Sequence, residues 1–141
     1  MLFRSYLEAH IEQGQTLESG SLAIGVVTSI VGIWQYRITF TGEQNHAGTT
    51  RMAVRRDAGL ALARFCVDID DRFPKLCGPR TVWTTGRITL DPGAPSIIPG
   101  AAEMLFQMRD DDPGVIKRLE DVLRSMAAEV TAQGRCGVTV E

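Results

Sequence analysis

His10 and His46 are the only histidines in the 141-residue chain, and each stands among groups that could share chemistry with an imidazole. His10 lies in Glu8-Ala9-His10-Ile11-Glu12-Gln13-Gly14. On an extended backbone Glu8, His10 and Glu12 would project to one side. A neutral imidazole flanked by carboxylates suits zinc, with the carboxylates as co-ligands or hydrogen-bond supports. The plainer alternative is a strand end with a solvated polar face. His46 belongs to a separate loop, Thr41-Gly42-Glu43-Gln44-Asn45-His46-Ala47-Gly48-Thr49-Thr50. A zinc site needs three or four protein ligands, and no HExxH or other compact metal motif is present. The chain therefore does not spell out an independent zinc enzyme. Arg109 follows an apolar run and precedes Asp110-Asp111-Asp112. Its guanidinium could grip a carboxylate through two parallel hydrogen bonds, or it could simply pair with those aspartates.

These residues depend on elements that the apolar periodicity outlines. Val54, Ala58, Ala61, Leu62, Phe65 and Ile69 fall on one helical face, with Thr49 or Thr50 as the expected cap and Pro74 beyond the end. Asp112-Pro113 opens a second helix. Its stripe is Ile116, Leu119, Val122, Leu123, Met126 and Val130, and Gly134 sits where a left-handed cap belongs. Strands are expected at 24–30, at 34–41 with Tyr36, Ile38 and Phe40 on one side, at 81–90, at 102–108 and from 137 to 140. Met52 and Met126 read as core filler, and Trp34 and Trp83 as sheet packing. From Trp34 onward the order is strand, helix, strand, strand, helix, strand. That order predicts an α+β fold: a four-stranded antiparallel sheet with two helices on one face, the split βαβ or ferredoxin-like arrangement. Its second face and edges need cover, and a partner subunit is one ordinary way to supply it. The segment Asp91-Pro92-Gly93-Ala94-Pro95-Ser96-Ile97-Ile98-Pro99-Gly100 reads as a stiff loop, neither helix nor regular strand.

Composition narrows the function. Hydrophobic residues make up 44% and charged residues 23%, with a net charge of −2, which supplies neither a nucleic-acid footprint nor a membrane-surface patch. Cys66, Cys77 and Cys136 show no CxxC pairing and are expected as reduced thiols. No apolar run reaches transmembrane length, and Met1-Leu2-Phe3-Arg4-Ser5 lacks the apolar core of a signal peptide. These features together predict a cytoplasmic protein.

Three segments, in order and in register, resemble the zinc-dependent aminoacylase/carboxypeptidase superfamily. The resemblance is strongest to its branch of N-carbamoyl-L-amino-acid amidohydrolases, β-ureidopropionases and allantoate amidohydrolases. Residues 8–14 resemble the ELHIEQG segment of that branch, and residues 42–50 its GxxxHAGTTP loop. Residues 93–100 resemble its NVIPG loop, followed by an arginine strand at Met108-Arg109-Asp110. The resemblance implies that His10 ligates metal, that Gln13 holds substrate, and that Arg109 clamps the substrate carboxylate. His46 is implied to reach across a homodimer and stabilise the oxyanion in the partner's active site. Ser96 stands where the family has asparagine, so a substrate hydrogen bond there is lost or bridged by water. Gln15 and Arg51 replace prolines.

The resemblance further implies a parent enzyme that cleaves the carbamoyl or amide C–N bond of a small ureido acid or N-carbamoyl amino acid. It would use two divalent ions, zinc or manganese, whose remaining ligands and catalytic glutamate lie outside this segment. Residues 1–32 are then a fragment of the catalytic domain carrying the metal-ligand strand, and residues 33–141 the dimerisation lid. Two alternatives stand beside this: a purely non-catalytic dimerisation module, and an aminoacylase or peptidase of the same superfamily. The isolated chain is expected to dimerise without turning substrate over.

Overall fold

The structure, a computed structural model, describes residues 5–141; the first four residues of the N-terminal segment read above lie outside the described residues. The chain divides into two compact units, Met1–Ile30 and Val31–Glu141.

Among the described residues of the first unit the one regular element is a short helix, α1 (Thr16–Ser19). The Glu12 carboxylate starts it by accepting from the backbone N–H of Thr16 at 2.7 Å and Leu17 at 2.9 Å. Those are donors a helix start leaves without partners. The strand expected over 24–30 does not form, and Ile24 and Val26 are more than four-fifths exposed. A β-branched apolar run becomes a strand only when a neighbour pairs its backbone groups. Among the described residues none does so.

The second unit comprises β1 (Gly32–Thr41), β2 (Asn45–His46), α2 (Ala58–Arg72), β3 (Val82–Asp91), β4 (Ile97–Ile98), β5 (Ala101–Asp110), α3 (Pro113–Ala132) and β6 (Gly137–Val140). The main sheet has the order β3-β5-β1-β6 with every pair antiparallel, as the split βαβ pattern requires. Period-two alternation sets its faces. Tyr36, Ile38 and Phe40 of β1 and Ala102, Met104, Phe106 and Met108 of β5 are buried. They form one core with Leu62, Phe65 and Ile69 of α2 and Ile116, Leu119, Leu123 and Met126 of α3. Phe40 meets Phe65 edge to face at 5.4 Å, and Phe73 packs against Trp83 and Phe106. The opposite face carries Gln35, Arg37, Glu103, Gln107 and Arg109, with Glu103 paired to Arg37 at 3.3 Å and Arg87 at 2.7 Å.

The ends of α3 match expectation. The Asp112 carboxylate accepts from Gly114 N–H at 2.7 Å, Pro113 is the first helical residue, and Gly134 takes a positive φ of 75°. The start of α2 does not. Asp57, rather than Thr49 or Thr50, caps it by accepting from Leu60 N–H at 2.9 Å. Arg51 and Arg55 are extended around a single 3₁₀ turn at Met52–Val54, so Met52 and Val54 stay exposed instead of joining the core. An aspartate cap stabilises a helix start by about 1 kcal/mol, enough to set where α2 begins when the segment before it is tied elsewhere. Pro74 lies in a further 3₁₀ turn, Phe73–Lys75, that closes the helix. All three cysteines are free.

One buried carboxylate fastens the far end of β5. Asp110 is 3% exposed and accepts from the Thr81 hydroxyl and from Asp112 N–H, the latter at 2.7 Å. The Thr81 hydroxyl and the Asp112 amide hold its carboxyl below the usual range.

Candidate functional site

His46 is presented by two loops that meet backbone to backbone. Asn45 pairs with Ile98 and His46 with Ile97, so the proline-rich segment does form a two-residue ladder, contrary to expectation. Ala47 N–H also donates to the Ser96 carbonyl at 2.9 Å, and Gly42 N–H to Gly100 at 2.8 Å. Ile98 is buried and anchors the ladder. Glycine is required where these backbones touch. A Cβ on Gly42 would fall 2.0 Å from the Arg56 carbonyl oxygen, and one on Gly100 would fall 2.9 Å from the Gln44 nitrogen. Folding thus brings His46 and Ser96 together, both exposed on adjoining rims.

The two histidines sit in opposite hydrogen-bonded states. The Nδ1 of His46 accepts from Gly48 N–H at 3.0 Å. The neutral ring then carries its proton on Nε2, which makes that atom a donor. The Nδ1 of His10 lies 2.6 Å from the Ile11 carbonyl oxygen, which can only accept. The neutral His10 ring is therefore protonated on Nδ1 and keeps a lone pair on Nε2, the form in which imidazole binds a metal. The row of Glu8, His10 and Glu12 does not converge, however. Glu12 closes on the start of α1, and Glu8 accepts from the Tyr6 hydroxyl at 3.0 Å. Among the described residues no three His, Cys, Asp or Glu side chains form a metal-sized cluster. Gln13, in the same unit as His10, is exposed.

Arg109 lies on the open sheet face, opposite Ile33 on one side and Val82 on the other. The aspartates beside it are engaged elsewhere. Asp111 binds Arg80 at 2.6 Å, Asp110 holds Thr81 and the Asp112 amide, and Asp112 caps α3. Within this unit Arg109 and His46 are far apart. Thr41, five residues before His46, pairs with Ala101, and Arg109 pairs eight residues further along β5. At about 3.3 Å per residue that is roughly 26 Å of strand.

Arg55 is a contributor that the sequence reading passed over. Half-buried, it donates from Nε to the Thr50 carbonyl at 3.0 Å and from Nη2 to the Ala47 carbonyl. It thereby spans the turn that carries His46, and the Thr50 N–H to His46 carbonyl bond at 3.2 Å closes that turn from within. Only its place nine residues after His46 was visible beforehand, and an arginine at the edge of an expected helix reads as solvated.

Comparison with known proteins places this arrangement. The chain is 37% identical over 138 residues to the N-carbamoyl-L-amino-acid amidohydrolase of Paenarthrobacter aurescens, covering 98% of this chain and 33% of that protein. It is 36% identical over 131 residues to the allantoate amidohydrolase of Escherichia coli (strain K12), covering 90% and 32%. A crystal structure of an amidase of the hydantoinase/carbamoylase family from Burkholderia phymatum superposes with a TM-score of 0.87 at 47% identity, over 93% of this chain and 32% of that one. The chain thus spans about a third of the length of each of these relatives. The family model of the peptidase dimerisation domain matches residues 28–135, and the chain belongs to that family.

Proposed function

We propose that the protein to which this chain belongs is a metal-dependent amidohydrolase acting on N-carbamoyl amino acids or related small ureido acids, as a cytoplasmic homodimer. It cleaves their carbamoyl or amide C–N bond. Residues 33–141 are its dimerisation lid and residues 1–32 a strip of its catalytic domain. The names of the relatives support the chemistry. The observation that carries most weight is the Gly48 N–H bond to His46 Nδ1, which turns an exposed imidazole into a fixed Nε2–H donor.

In this reading His46 stabilises the oxyanion that develops as water attacks the carbonyl carbon. Removing one such donor costs about 10²–10³ in kcat. Arg109 binds the substrate carboxylate, and Gln13 and Ser96 bind its remaining polar groups. His10 is the one ligand this chain offers to a pair of divalent ions, zinc or manganese. Those ions would supply Lewis-acid polarisation and an activated water. The described residues do not complete such a site, so its other ligands fall to the catalytic domain. The roughly 26 Å between the His46 end and the Arg109 end of β5 is too long for one small substrate to span. Each active site would therefore combine His46 of one subunit with Arg109 of the other.

The 141-residue chain, purified and supplied with Zn²⁺ or Mn²⁺, is expected to form dimers and leave N-carbamoyl amino acids intact, while the parent protein hydrolyses them. Turnover by the chain alone would sink the lid assignment. A parent inert on ureido acids would sink the substrate class.

A further inference from the structure

Two residues before Arg109 on β5, Gln107 projects from the same open face. With its amide oxygen turned toward the guanidinium, Gln107 accepts from Arg109 Nε at 2.7 Å and from Nη2 at 2.9 Å. The opposite orientation would set amide N–H against guanidinium N–H, donor against donor. Gln35 faces Gln107 across the β1–β5 pair, and the two amides meet at 3.1 Å. With the Gln35 oxygen toward it, the Gln107 amide N–H is satisfied too. With both amides reversed from the orientation in which Gln35 Nε2 donates to Gln107 Oε1 at 3.1 Å, the three side chains make one directed row: Arg109 donates to Gln107, and Gln107 donates to Gln35.

This row decides which edge of the guanidinium is free. Of five N–H donors, Gln107 takes the one on Nε and the near one on Nη2. Three remain, and of these the far Nη2 hydrogen and its parallel Nη1 hydrogen form the fork that receives a carboxylate end-on. A carboxylate at position 107 would orient the fork as well but would cancel its charge. An amide orients it and leaves the full positive charge for a ligand. The neighbouring aspartates, spent on Arg80, Thr81 and the α3 cap, do not cancel it either.

We propose that Gln107, backed by Gln35, is a positioning residue that aims Arg109 at the substrate carboxylate without neutralising it. The proposal rests on Arg109 being the carboxylate clamp. Two measurements keep the row and the clamp separate. In the 141-residue chain, the Arg109 Nε–H should exchange slowly by NMR, and Gln107→Ala should speed that exchange roughly tenfold, as expected for losing a hydrogen bond to a charged group. Unchanged exchange would overturn the row whatever the protein does. In the parent dimer assayed with N-carbamoyl-L-alanine, Gln107→Ala and Gln107→Glu should both raise KM severalfold with little change in kcat. In an Arg109→Ala background, Gln107→Ala should add nothing. An effect on kcat alone, or one that persists without Arg109, overturns the positioning role. If Arg109→Ala itself leaves KM unchanged, the clamp falls and takes the positioning role with it, while the exchange result still reports on the row.

Discussion

The backbone N–H of Gly48 donates to Nδ1 of His46 across 3.0 Å, and this one bond fixes which ring nitrogen of an exposed histidine carries its proton. The same two residues are close enough to be tested by a single methyl group. A Cβ on Gly48 would sit 3.1 Å from Cε1 and 3.4 Å from Nδ1 of the ring. Gly48→Ala should push the imidazole aside and lower the parent enzyme's kcat by about ten- to a hundredfold, the scale of a small misplacement at a reacting centre. The loop is exposed, so the melting temperature should hardly move. Calorimetry and steady-state kinetics on one preparation check both halves.

Arg55 grips the two carbonyls of the turn that presents His46. Arg55→Ala should lower kcat in the parent enzyme while leaving KM for the carboxylate end of the substrate unchanged. If Arg55 acts only through His46, the double variant with His46→Ala should be no slower than His46→Ala alone. A multiplicative loss in that cycle would mean that Arg55 supports something else.

Asp110 is the buried carboxylate that ties the end of β5 to the Thr81 hydroxyl and the first turn leading into α3. Asp110→Asn should destabilise the chain by about 1–3 kcal/mol, because a buried charge-assisted bond is replaced by a poorly matched amide. Its folded-state pKa is lowered from the ordinary carboxylate value by the Thr81 and Asp112 bonds. Its contribution is therefore present above the unfolded-state value and is lost as pH falls through the folded-state value. Acid titration of unfolding should show a steeper stability loss for the wild type than for Asp110→Asn.

Tyr36 offers a contrast, a buried hydroxyl without a hydrogen-bond partner among the described residues. Tyr36→Phe removes that orphan and keeps the ring, so stability should be unchanged or rise by up to about 1 kcal/mol. Burial, with help from Glu120, pushes the Tyr36 pKa up to about 12. A raised acid contributes stability that is full below the unfolded value of 10.0 and drains away as pH climbs through about 12. The variant should lack that alkaline loss in a urea-unfolding series.

The main sheet and α3 were readable from the residues because their signals are local. Tyr36, Ile38 and Phe40 alternate, and Asp112-Pro113 and Gly134 bracket one apolar stripe. The start of α2 was misread because Val54 happens to continue its stripe, while the Asp57 cap and the Arg55 grip act through groups that periodicity does not see. The 24–30 segment has strand composition, yet a strand needs a partner that composition cannot supply. The candidate site was legible as residue types at His46 and Arg109, and at Ser96 only through the family resemblance, but not as geometry. That His46 and Ser96 share one rim follows from the β2–β4 ladder. That Arg109 stands at the other end of the sheet follows from the β1–β5 register, which no single segment encodes.

The central claim, that His46 and Arg109 of different subunits make each active site, is tested by complementation. His46→Ala and Arg109→Ala forms of the parent enzyme, each nearly inactive, are unfolded together, refolded as a mixture and assayed. Half the dimers will be mixed, and each mixed dimer will hold one site with both residues intact, so about a quarter of wild-type turnover should return. If both residues of a site come from one chain, every site in the mixture keeps a lesion. Activity no higher than that of the two separate variants would contradict the account.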